Sequence, residues 1–185
     1  MLSFIPTPLH PAIVHFPIVL TVLLPLFAIG AISAIRKGAR PIRAWGLTTA
    51  LFGALTLSSW AAVETGQDQE ERVEDVVADA PLESHEEAAE SFLLLSLGML
   101  GIATIGLSSG RIGSAARVAG TVGTVVLVIA GYRVGHSGGE LVYRYGAASA
   151  YTAGGNAVER AGEVTRDGGG NGEGRPAAKG DDAGR

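Results

Sequence analysis

The sequence predicts an all-α fold, a bundle of four transmembrane helices. Three observations predict it. The chain of 185 residues is 47% hydrophobic despite its 27 glycines, and its mean hydropathy is positive. Its apolar residues gather into four long runs with the charges between and after them. The loops joining those runs alternate between basic and acidic.

The first run covers 12–35 without a charge. It is too long for the apolar core of a typical signal peptide and has no basic segment before it, so it reads as a retained helix. Pro17 and Pro25 lie inside it. A membrane helix tolerates them because neighbouring groups satisfy the freed carbonyls. The other runs cover 44–63, 91–110 and 118–135, the last interrupted only by Arg133. About 20 apolar residues cross the hydrocarbon layer, and each run is close to that length. A chain this short cannot wrap four such helices in protein, which argues against a soluble enzyme core.

Loop charge predicts orientation. The first loop carries Arg36, Lys37, Arg40 and Arg43, and the third carries Arg111 and Arg117. The second holds Arg72 among Glu64, Asp68, Glu70, Glu71, Glu74, Asp75, Asp79, Glu83, Glu86, Glu87 and Glu90. Loops one and three are therefore expected in the cytoplasm, with the acidic loop and both termini outside. Trp45 and Trp60 bracket the second run and are expected in the two interfacial belts. Small residues four apart (Gly46, Ala50 and Ala54; Gly106 and Gly110; Gly131 and Gly135) are expected to let helices approach closely.

The remaining segments are short. Ser84 followed by Glu87 forms a capping-box pattern, placing the start of the third helix near His85. Residues 73–80 suit a short surface helix. The membrane domain is expected to span 1–146. Residues 147–185, rich in Gly, Asp, Glu and Arg, lack the apolar surface to order themselves and read as a disordered outer tail. The run Gly168-Gly169-Gly170-Asn171-Gly172-Glu173-Gly174 has no following Lys and helix, so it does not form a phosphate loop.

Composition narrows function. No cysteine is present, which removes disulfides, thiol nucleophiles, iron–sulfur ligation and covalent haem attachment. A net charge of -4 and the lack of a basic aromatic stripe argue against nucleic-acid partners. No nucleophile–base pair stands out, so any reaction is expected to be redox rather than hydrolytic.

Four histidines remain, and the topology puts all of them at the outer ends of the helices: His10 and His15 on the first, His85 on the third, His136 on the fourth. Neutral imidazole binds transition metals, and two imidazoles on facing helices hold a haem. His15 lies five residues deeper than His10, about 7.5 Å at helical rise. Depth therefore predicts His15 and His136 as the axial pair of a haem b, with His10 and His85 supporting them or forming a second site. Arg133 sits three residues before His136 and suits a haem propionate, though an arginine there also snorkels to headgroups. Glu64, Glu86, Glu87 and Glu140 are candidates to orient imidazoles. One alternative places a transition metal such as Cu, Zn or Fe on His10, His15, His85 and His136. Another is a cofactor-free membrane scaffold, in which the histidines are interfacial groups.

The segment Leu9-His10-Pro11-Ala12-Ile13-Val14-His15-Phe16-Pro17-Ile18 resembles the opening of a bacterial membrane family, domain of unknown function 2231. Gly135-His136-Ser137-Gly138-Gly139-Glu140-Leu141-Val142-Tyr143 resembles its closing motif, and Glu64-Thr65-Gly66 and His85 fall where the family has similar residues. The resemblance covers roughly the first 146 residues. It implies four membrane helices in the cell membrane. Because relatives are joined to Rieske or cytochrome c modules, it also implies a redox setting, with an outer redox protein or a quinone as partner and possible homo-oligomers. Where the family often has a histidine shortly after the closing Tyr, this chain has Tyr145.

Overall fold

The structure, a computed structural model, describes residues 9–74 and 76–151, Arg72 through its backbone only. The chain divides into a unit Met1–Ala150 and a second, Tyr151–Arg185. The expected disordered tail lies outside the described residues from 152 onward. Residues 147–150 belong to the first unit, where Ala147 is buried.

Six helices form, with no strand among the described residues: α1 His10–Ile13, α2 His15–Arg36, α3 Pro41–Gln67, α4 Glu70–Glu74, α5 Asp79–Ile105 and α6 Gly110–Tyr143. Helices α1 and α2 are one rod with a flaw. Pro17 has no N–H to offer the carbonyl of Ile13, so the hydrogen-bond ladder skips at Val14, whose backbone stays helical. The rod and α3, α5 and α6 are long and apolar enough to cross a membrane. Pro41 opens α3 after an extended Arg40, as the residue before a proline prefers. Gly38 turns the preceding loop at φ 99°, a left-handed conformation that glycine adopts without a Cβ clash.

Helix α2 packs on α3 and α6, and α5 packs on the same two. Helices α2 and α5 therefore stand at opposite corners of a four-cornered bundle. Inward positions recur every seven residues: His10, Pro17, Leu24 and Ala31; Trp45, Phe52, Ser59 and Gly66; His85, Phe92 and Met99; Gly120, Leu127, Val134 and Leu141. This repeat keeps one narrow stripe of each helix turned to its neighbours. Leu24, Phe52, Leu55, Phe92, Met99, Ala103 and Leu127 form the main core. The opposite faces are apolar too. Leu26, Leu57, Leu94 and Ile112 are 66%, 67%, 69% and 75% exposed, a surface stable only against lipid.

Several sequence expectations need correction. Trp45 is not in an interfacial belt: it is fully buried, donates its indole N–H to Ala103 O at 2.9 Å, and packs against Gly106 and Gly120. Trp60 is exposed. Ser84 caps nothing, because α5 begins at Asp79 behind an extended Ala78. The short helix is α4, ahead of the expected 73–80. The last helix runs 34 residues, beyond the end of its apolar run at 135, and takes in Gly138 and Gly139. Gly131 and Gly106 sit in close contacts, whereas a Cβ at Gly46, Gly110 or Gly135 would meet nothing within 4 Å.

Candidate functional site

The four imidazoles lie at one end of the bundle, and the helices' rotation divides them into two pairs. His10 and His15 are five residues apart, about 140° around a helix. His10 falls on the inward stripe of its rod, so His15 is turned out and exposed. On α6, Val134, Gly138 and Leu141 lie toward the neighbouring helices. His136 is about 200° from Val134 and its side chain is 56% exposed. Among the described residues, His136 approaches Glu140, at 3.7 Å, and the ring of Tyr132. The expectation that depth makes His15 and His136 the pair is thus corrected: depth along a helix leaves the face open, and rotation turns both rings outward.

His10 and His85 are the inward pair. Each is seated on a neighbouring helix in the same manner. The Nδ1–H of His10 donates to Ala62 O at 2.9 Å, with Thr65 Oγ1 3.4 Å away. Its ring lies over Gly66, where an added Cβ would stand 3.3 Å from Cε1. The Nδ1–H of His85 donates to Ser137 Oγ at 2.8 Å. The Ser137 hydroxyl in turn donates to Val134 O at 3.0 Å, so its oxygen is free to accept. The His85 ring lies over Gly138, where a Cβ would stand 3.0 Å from Cε1. The two rings come from opposite corners of the bundle.

A carbonyl only accepts, so the bond to Ala62 O fixes the tautomer of His10, and the Ser137 bond to Val134 O favours the same tautomer in His85. In the neutral rings, Nδ1 therefore carries the hydrogen and Nε2 keeps its lone pair. Metal-ligating histidines show this arrangement, one ring nitrogen donating to a carbonyl or other acceptor and the other left to bind. His15 has the same polarity through Pro11 O at 2.7 Å, but it faces outward.

Two anchors follow from this geometry. Glu64-Thr65-Gly66 is where the His10 ring rests, and Ser137-Gly138 is where the His85 ring rests. Both lie within residues 6–150, which match the family described as "Predicted membrane protein (DUF2231)". The chain belongs to the DUF2231 family. No curated protein and no solved structure matches it. The DUF2231 chain is accordingly a multi-pass membrane protein.

The arrangement suits some ligands better than others. Among the described residues, no three His, Cys, Asp or Glu side chains come together as a metal site. The four-histidine transition-metal cluster is therefore not assembled. His10 and His85 are the two imidazoles that the fold turns inward. Beneath them on the α3 stripe, Ser59 Oγ is buried without a hydrogen-bond partner, a polar atom that a bound group or water would satisfy. Arg133 is exposed and forms no ion pair with a described residue. Glu140 pairs with Arg144 at 3.2 Å as well as with His136. The Ser137 and Gly66 contacts were not foreseen from sequence; seven-residue phasing with the core would have found them.

Proposed function

We propose that this protein is a haem b-binding electron-transfer module of the cell membrane, in which the imidazoles of His10 and His85 would hold the haem. The observation that carries the reading is the pair of inward rings whose Nδ1–H groups are committed to Ala62 O and Ser137 Oγ, leaving both Nε2 atoms to bind. A bound haem would supply a one-electron iron couple in a low-dielectric surround. The chain's own part is positional. Ala62, Thr65 and Gly66 hold one ring; Ser137 and Gly138 hold the other. Arg133 is the guanidinium to test for propionate contact.

The loop charges support an orientation with this end outside the cell. Electrons would then pass between an outer redox protein, of Rieske or cytochrome c type, and a quinone or second haem. A transition metal on His10 and His85 is the weaker reading, since zinc and its like take three or four protein ligands. The test is expression with haem supply, followed by oxidised and reduced spectra and metal analysis of one sample. One low-spin haem per chain is expected. Protein with neither haem nor stoichiometric metal contradicts the proposal and leaves a membrane scaffold.

A further inference from the structure

At the opposite end of the bundle, Arg117 is only 6% exposed. Its Nη1 donates to the carbonyls of Gly106 and Ser108, at 2.6 and 3.0 Å, and so closes the end of α5. Carbonyl dipoles bind a guanidinium without cancelling its charge. Among the described residues no carboxylate is at hand to do so: residues 9–63 and 91–139 contain no Asp or Glu, while Arg36, Lys37, Arg40, Arg43, Arg111 and Arg117 gather at this end. The ion pairs among the described residues lie at the histidine end. A nearly buried, uncompensated cation is costly, so a counter-charge from outside the chain would be strongly favoured.

The place for it is formed. A cavity between the end of α2 and the start of α6 is lined by Ile32, Ile35, Arg36, Ser114, Arg117 and Val118. Two guanidiniums and a hydroxyl offer donors to phosphate oxygens. The three apolar residues offer a surface for hydrocarbon, and Val118 is 53% exposed on the lipid-facing side. We propose that this cavity binds one anionic phospholipid, its phosphate on Arg36, Arg117 and Ser114 and an acyl chain along Ile32, Ile35 and Val118. Basic pockets between membrane helices bind such headgroups. The apolar half of the lining favours a lipid over free phosphate.

The test uses the full chain in a neutral detergent, titrated with phosphatidylglycerol, phosphatidylcholine or inorganic phosphate. Bound lipid is counted by native mass spectrometry. Retention of one phosphatidylglycerol, in preference to phosphatidylcholine and unaffected by phosphate, is expected. Arg117→Ala risks the α5 end itself, so the informative variant is Arg36→Gln. It should weaken retention about fivefold, as one interfacial cation does, while Arg40→Gln, outside the cavity, leaves it unchanged. Equal losses from both variants would show diffuse attraction to the basic end and overturn the site. Competition by inorganic phosphate would overturn the lipid assignment.

Discussion

Gly138 and Gly135 stand three residues apart on α6, and replacing each with alanine should give opposite results. Alanine is favoured over glycine inside a helix by up to about 1 kcal/mol. At Gly135 an added Cβ meets nothing within 4 Å, so the full gain should appear. A gain of that size raises Tm by about 2–4 °C in a chain of this length. At Gly138 the Cβ would stand 3.0 Å from Cε1 of His85 and 3.6 Å from both ring nitrogens. The ring must shift by a few tenths of an ångström, and its 2.8 Å bond to Ser137 stretches with it. Overpacking costs about 1–3 kcal/mol, so Gly138→Ala should be neutral to about 2 kcal/mol destabilising. Thermal unfolding of both variants in one detergent is the assay. Equal stabilisation by the two alanines would refute the seating of His85 on Gly138.

Other outcomes follow from the same geometry. Leu127 is fully buried in the main core, so Leu127→Ala should cost about 2–5 kcal/mol. Gly131→Leu should be at least as damaging, because even a Cβ there would stand 3.3 Å from Thr21 Cγ2 and 3.4 Å from Phe92 Cε2; denaturation in detergent compares them. Trp45→Phe removes the indole bond to Ala103 O and should lower stability by about 1 kcal/mol, read from the same transition. In intact cells, a membrane-impermeant thiol reagent should label Glu70→Cys and spare Lys37→Cys. The reverse would turn the histidine end inward.

The number of helices and their shared histidine end were legible because long apolar runs and loop charges carry both. Rotation about each helix was harder to read. Every face of these helices is apolar, so amphipathic contrast does not separate the face toward protein from the face toward lipid. The seven-residue spacing was nonetheless present: His10 is in phase with Leu24, and His85 with Phe92 and Met99. His15 and His136 are out of phase with the core positions of their own helices. Trp45 departs from its expected interfacial place for a related reason. Its position at the end of an apolar run matches an interfacial residue, and only the glycines at 106 and 120, remote in sequence, make room to bury it. The start of α5 was hidden because its first turns are acidic and polar, extending beyond the membrane-crossing segment.

The inward pair can be set directly against the outward pair. Reduced-minus-oxidised absorption spectra of haem-supplied protein, at equal folded amounts, should show the low-spin signal lost in His10→Ala and in His85→Ala. The signal should be retained in His15→Ala and His136→Ala. A signal that survives the loss of His10 or His85, or that vanishes with His15, would contradict the assignment of the site to the inward rings.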